Sequence, residues 1–116
     1  MQPVRILLAN HHPIIRSSLR MLLERQSGFQ VIGEAADGRE AVTLVEYRRP
    51  EIVLLDVSLP RLTGLSAARE IVSKNGGTGV LFVTTQTDEA YVVEAVKAGA
   101  RGYVASGESS SDLVPA

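Results

Sequence analysis

The chain has 116 residues, a net charge of −1 and no cysteine. This length is enough for one domain with its own core, and the lack of cysteine excludes disulfide bonds, thiolate metal sites and cysteine nucleophiles. The 12 basic and 13 acidic residues form no basic run, so we predict no direct nucleic-acid binding. The apolar runs are too short to span a bilayer and no signal peptide is recognisable, which favours a soluble, cytoplasmic protein without a membrane partner.

The first predicted elements are a buried strand and an amphipathic helix. Val4 to Ala9 is short and almost wholly apolar, which is typical of a strand covered on both faces. Pro13 favours the first turn of a helix. The apolar spacing extends this helix to about Gln26, and Gly28 is the predicted C-terminal cap. We expect the apolar positions of the helix to lie in the core, among them Ile15, Leu19 and Leu22.

A second strand and helix follow. Phe29 to Ala35 has strand character, although Gly33 interrupts it. Asp37 followed three residues later by Glu40 is the signature of a helix N-terminus. Pro50 ends the helix that begins there.

The third predicted strand, Ile52 to Leu55, is an apolar run that ends in Asp56. Pro60 and Gly64 then break the chain into a constrained loop. The remaining elements are a third helix marked by Ala67, Ala68, Ile71 and Val72, a fourth strand from Val80 to Val83, a fourth helix capped by Thr87 or Asp88 and closed by Gly99, and a fifth strand from Gly102 to Ala105.

This alternation of strands and helices predicts a parallel sheet with helices on both faces and right-handed crossovers. The segment from Ser106 to Ala116 is rich in serine and has only Leu113 and Val114 as apolar anchors. A fifth helix is therefore truncated or missing, and we expect the chain, residues 1–116, to be one domain cut from a longer protein. An apolar strip left uncovered on the sheet would favour a homodimer.

The sheet also predicts a site. In open α/β sheets, ligands bind in the crevice beyond the carboxyl ends of the strands. Polar residues follow four of the predicted strands at that edge, so we expect them to be neighbours: Asn10, His11, Asp56, Thr84 and Ser106.

Four stretches of the sequence resemble the receiver domains of two-component response regulators, particularly those joined to a helix-turn-helix output domain. They are Leu7 to Pro13, Gly33 to Gly38, Leu54 to Pro60 with Gly64, and Ala98 to Tyr103. The resemblance implies a flavodoxin-like three-layer α/β/α sandwich with five parallel strands in the order 2-1-3-4-5. It also implies a role in phosphorelay signal transduction and transcription regulation, with a sensor histidine kinase as partner and a DNA-binding output domain outside this chain.

The resemblance assigns roles to individual positions. Asp56 matches the phosphoacceptor aspartate, Thr84 the switch hydroxyl that bonds the phosphoryl group, and Tyr103 the aromatic that reports the change to the outer face. Asn10 and His11 stand where the family has two acidic residues that hold magnesium. Ser106, in turn, stands where the family has a lysine that pairs with the phosphoryl oxygens.

These substitutions predict a degenerate receiver with weak or absent magnesium-dependent phosphorylation and no cofactor. Two alternatives stay open: a conventional phosphoacceptor at Asp56 controlled by a cognate kinase, and a transition-metal site at His11 and Asp56, with His12 as a further ligand. We do not expect an enzyme, because phosphatases of the haloacid dehalogenase type need a second aspartate two residues after the nucleophile. Ser58 occupies that position.

Overall fold

The computed structural model describes residues 3–74, 77–84 and 89–105; of residues 84, 89–92 and 103–105 it describes the backbone alone. Strands and helices alternate along this part of the chain. They are β1 (Val4–Ala9), α1 (Pro13–Glu24), β2 (Phe29–Ala35), α2 (Gly38–Arg48), β3 (Ile52–Leu55), α3 (Gly64–Lys74), β4 (Gly79–Thr84), α4 (Glu89–Lys97) and β5 (Gly102–Ala105).

The strands form one sheet in the order β2-β1-β3-β4-β5, and every neighbouring pair is parallel. The predicted strand order and the flavodoxin-like fold class are therefore confirmed. In the register of the three central strands, Ala9 lies beside Leu55 and Leu55 beside Phe82. The carboxyl ends of β1, β3 and β4 consequently meet at the same edge of the sheet.

Alternate residues of the central strands point to opposite faces of the sheet and build two cores. On one face, Leu7, Leu55 and Phe82 are fully buried under α2, α3 and α4. On the other face, Leu8 and Leu54 pack with Leu19 and Leu23 of α1. The apolar runs without polar alternation are thus explained, because both faces of these strands are covered.

Two predicted helix ends are confirmed. The carboxylate of Asp37 accepts a hydrogen bond from the Glu40 N–H (2.8 Å) at the start of α2, and Glu40 in turn accepts from the Ala36 N–H (2.7 Å). Beyond α4, Gly99 has a φ of +95°, a left-handed conformation that glycine adopts without steric cost.

The predicted cap at Gly28 is wrong. Helix α1 ends at Glu24, and Arg25 follows with an ordinary right-handed backbone. The N–H of Gln26 donates to the carbonyl of Leu23 (3.0 Å), so a tightened last turn closes the helix without a left-handed residue. Gly28 instead accepts a hydrogen bond from the Val4 N–H (2.8 Å) and connects the turn to β1.

The prediction that Ile15 lies in the core is also wrong. Its side chain is 38% exposed, whereas Leu19 is buried and Leu22 half-buried. Arg16 and Arg20 form ion pairs with Glu34 in β2, which holds that side of α1 against the sheet. At 100° per residue, Ile15 still lies on the same side of the helix as Leu19 and Leu22. It is the third residue of α1, so its exposure comes from its place in the first turn of the helix and not from the face on which it lies.

Several predictions concern residues outside the described part of the chain. They are the cap at Thr87 or Asp88, the place of Ser106 at the lysine position, and the truncated or missing fifth helix. Within the described part of the chain, no helix is both long and apolar enough to cross a membrane.

Candidate functional site

Asp56 is the first residue after β3 and lies directly beside the end of β1. Its N–H donates to the carbonyl of Ala9 (3.0 Å), which continues the pairing of the two strands by one residue. Its carboxylate is partly buried and accepts a hydrogen bond from the Ser58 N–H (3.2 Å). This turn orients the carboxylate at the sheet edge by a local bond that aspartate readily forms.

The loop after Asp56 is held by backbone contacts on both sides. The N–H of Gly64 donates to the carbonyl of Val57 (3.0 Å), and a Cβ at position 64 would lie 2.1 Å from the carbonyl oxygen of Asp56. Pro60 accepts a hydrogen bond from the N–H of Gly38 (3.2 Å), the first residue of α2. Glycine at position 64 is therefore required for the loop to return so close to Asp56.

Asn10 occupies the matching position after β1. It is only 5% exposed, and its N–H donates to the carbonyl of Ala35 at the end of β2 (3.0 Å). Its side-chain oxygen accepts a hydrogen bond from the N–H of His12 (2.8 Å), the N-cap residue of α1, whose own side chain makes no capping bond. Asn10 thus satisfies one of the N–H groups at the start of this helix.

His11 and His12 are both exposed at the corner between β1 and α1. Their ring centroids are 5.2 Å apart and the rings are tilted by 57°. Within the described residues, no three histidine, cysteine, aspartate or glutamate side chains are grouped so that they could hold a metal ion. The arrangement therefore does not support the transition-metal alternative at His11, His12 and Asp56.

The two predicted switch residues are described by their backbone. Thr84 is the last residue of β4 and pairs with Ala105, while Tyr103 pairs with Phe82. Because Phe82 lies beside Leu55, β4 extends two residues beyond the paired part of β3. Thr84 therefore lies at the same edge of the sheet as Asp56.

A charged cluster that our sequence analysis missed lies behind Asn10. Arg16 of α1 donates to the Asn10 carbonyl (2.7 Å) and to the carboxylate of Glu34 in β2 (2.8 Å), which also pairs with Arg20. The hydrogen bond from Arg20 is the largest cause that lowers the pKa of Glu34, and the same bond raises the pKa of Arg20. The available signal was two arginines one helical turn apart, followed by an acid in the neighbouring strand.

Comparison with known proteins agrees with this geometry. The family model described as "response regulator receiver domain" matches residues 6–116. The chain belongs to the response regulator receiver domain family. Receivers normally bind Mg²⁺ at the phosphorylation site, and the two residues that follow β1, the strand paired with β3, are Asn10 and His11, an amide and an imidazole. This set fits Mg²⁺ poorly, because Mg²⁺ prefers oxygen ligands and carboxylates in particular.

Three similar proteins illustrate the family match. The transcriptional regulatory protein PdtaR of Mycobacterium tuberculosis is 40% identical over 98% of this chain and 55% of its own length. A LuxR-family two-component response regulator from Aurantimonas sp. has 38% identity and a TM-score of 0.93, over 97% of this chain and 81% of that one. The receiver domain of the putative response regulator NarL from Mycobacterium tuberculosis has 28% identity and a TM-score of 0.94, over 98% of this chain and 92% of that one. The chain spans about half the length of the curated relatives it matches.

Proposed function

We propose that this chain is a degenerate receiver, an interaction module in a transcriptional response regulator whose state is set by partner contacts rather than by magnesium-dependent phosphorylation. One observation carries the proposal: Asp56 lies at a sheet edge where the adjoining strand, β1, is followed by Asn10 and His11 instead of two acids. This site cannot gather the charge that holds Mg²⁺ in other receivers.

The energetic consequence is large. Phosphoryl transfer to a carboxylate concentrates negative charge, which metal ions and cations normally offset. Two opposite unit charges about 4 Å apart contribute about 4 kcal/mol at an effective dielectric of about 20, or about three powers of ten in rate. In this sequence Asn10 and His11 stand in place of the family's acid pair, and Ser106 stands in place of its lysine. We therefore expect the reaction to be slowed by several powers of ten.

The surroundings of Asn10 support a role that is independent of phosphate. Its side-chain oxygen is engaged by the His12 N–H, and its carbonyl by Arg16. An oxygen that is already bonded and uncharged competes poorly for a hydrated magnesium ion. The corner is nevertheless ordered by these bonds, so a partner meets a defined surface.

A second candidate function is a conventional phosphoacceptor at Asp56 under a cognate kinase. The exposure of His11, next to Asn10, favours it, because a protonated imidazole there supplies part of the missing positive charge. In either case Thr84 and Tyr103 are the proposed switch residues. Their support is their backbone placement at the end of β4 and in β5.

The proposed context follows from the relatives. The curated relatives are about twice as long as this chain and are named as transcriptional regulatory proteins, so we propose a DNA-binding output domain outside residues 1–116 and a cytoplasmic location. A sensor histidine kinase is the proposed upstream partner, and we also propose that the domain forms a homodimer.

Mass spectrometry of the intact protein tests the proposal. The chain is incubated with acetyl phosphate and Mg²⁺ beside an Asp56→Asn variant as control. We expect neither protein to gain mass. A stable adduct of about 80 Da, the mass of one phosphoryl group, on the original chain but not on the variant would overturn the degenerate assignment in favour of the second candidate.

A further inference from the structure

Arg16 makes two contacts that no other described side chain combines. Its Nε donates to Glu34 Oε1 (2.8 Å) and its Nη1 donates to the backbone carbonyl of Asn10 (2.7 Å). The Arg16 side chain is 19% exposed, the least of the arginines that form ion pairs among the described residues. A guanidinium can span both acceptors because its donors form a rigid planar fork.

Arg20 provides a comparison within the same helix. It lies one turn further along α1 and also pairs with Glu34, but it has no bond to Asn10; its other partner is Glu24. Glu34 therefore holds two arginines, of which only Arg16 continues to the corner where the pocket begins.

We propose that Arg16 is a positioning residue of the Asp56 pocket: it ties the corner formed by Asn10, His11 and His12 to Glu34 at the end of β2. This inference rests on the proposed function of the pocket, because it concerns the chain that follows β1, whose last residue, Ala9, accepts the hydrogen bond from the Asp56 N–H. Arg16 does not reach Asp56 through any contact described above, so it acts through Asn10 rather than on a ligand.

The connection from Arg16 to the pocket is short. Glu34 accepts from Arg16 and Arg20 and fixes the plane of the Arg16 guanidinium. The guanidinium fixes the carbonyl of Asn10, and the Asn10 side chain fixes the N–H of His12. Charge-assisted hydrogen bonds in a partly buried setting are stronger than neutral ones. The two bonds of Arg16, to Glu34 and to the Asn10 carbonyl, are therefore the strongest described at this corner.

Hydrogen exchange of single amides, followed by NMR, tests the inference by comparing Arg16→Met with Arg20→Met. Both variants remove one arginine from Glu34, but only Arg16→Met removes the bond to Asn10. We expect the His12 and Asn10 amides to exchange about tenfold faster or more in Arg16→Met, as for the loss of a hydrogen bond to a charged group. In Arg20→Met these rates stay near those of the original chain. The amides of Leu7 and Leu54 report global stability in each variant.

The ring signals of His11 give a second readout that a general loss of stability would not move. They should shift in Arg16→Met, stay in place in Arg20→Met and return partly in Arg16→Lys, since lysine keeps the charge but lacks the fork. Equal exchange rates and equal His11 signals in the two methionine variants would overturn the role of Arg16. That outcome differs from failure of the proposed function, which is an Asp56 adduct on the original chain.

Discussion

The two strand ends that border the pocket make similar turns but differ in charge. After β3, the chain keeps the aspartate, the turn to Ser58 and the close return of Gly64. After β1 come Asn10 and His11, an amide and an imidazole, and the Asn10 side chain accepts a hydrogen bond from the His12 N–H. Each turn is shaped by one side-chain oxygen, but only the turn after β3 uses a carboxylate.

The chemistry of asparagine explains this separation. The bond to the His12 N–H requires a side-chain oxygen of the right length, and an amide provides it as well as a carboxylate does. Magnesium requires negative charge in addition. A substitution of aspartate by asparagine at position 10 therefore preserves the fold of the corner while removing a condition for phosphoryl transfer.

Restoring the charge should produce the largest effect. In Asn10→Asp/His11→Asp/Ser106→Lys we expect Mg²⁺-dependent labelling of Asp56 by acetyl phosphate to rise at least about 100-fold, because the missing charge interactions return. Labelling rates from intact mass measure the gain, and the same variant with Asp56→Asn is the control. An unchanged rate would mean that more than the charge of the pocket has been lost.

The loop after β3 can be disrupted by adding a side chain at Gly64. Gly64→Ala should destabilise the chain by about 3 kcal/mol, because the new Cβ would meet the Asp56 carbonyl oxygen at 2.1 Å and the loop has to move. Gly28→Ala is the matched control, since no atom lies within 4 Å of a Cβ there. Urea unfolding of both variants measures the difference, and a Gly64→Ala chain as stable as Gly28→Ala would contradict the account of this loop.

The β1 side can be tested through its turn. Asn10→Ala and Asp37→Ala each remove one side-chain oxygen that accepts a helix N-terminal N–H at 2.8 Å. Both should therefore lower the free energy of unfolding by about 1 kcal/mol. If Asp37→Ala lowers the free energy of unfolding and Asn10→Ala does not, the corner does not depend on the Asn10 side chain.

The smallest expected effect concerns pH. The lowered pKa of Glu34 means that its pairs with Arg20 and Arg16 stabilise the fold fully above the unfolded value of about 4.3, and that this contribution is lost as the pH falls through the folded value. In Glu34→Gln the contribution is absent at neutral pH, so its stability should decline less on acidification and approach that of the original chain in acid. Parallel curves of unfolding free energy against pH would refute this.

Sequence reasoning was most successful where local rules decide the structure. The bounds of β1, β2, β3 and β5, the cap at Asp37 and the left-handed Gly99 follow from apolar runs and terminal residues. It failed at Ile15, because helical spacing predicts which face of α1 turns toward the sheet but not how much of the first turn is covered. It also missed the ion pair between Arg16 and Glu34, which lie 18 positions apart. The spacing of Arg16 and Arg20 marks them as one face of the helix, but it does not identify the distant acid that they meet.

The central claim is that the pocket does not hold Mg²⁺ as other receivers do, and a titration followed by NMR tests it most directly. Mg²⁺ at millimolar concentrations is added to the original chain and to Asn10→Asp/His11→Asp while the Asp56 amide is monitored. We predict no saturable shift in the original chain and a saturable one in the variant. Saturation in the original chain, with Asn10, His11 and Asp56 moving together, would contradict the account.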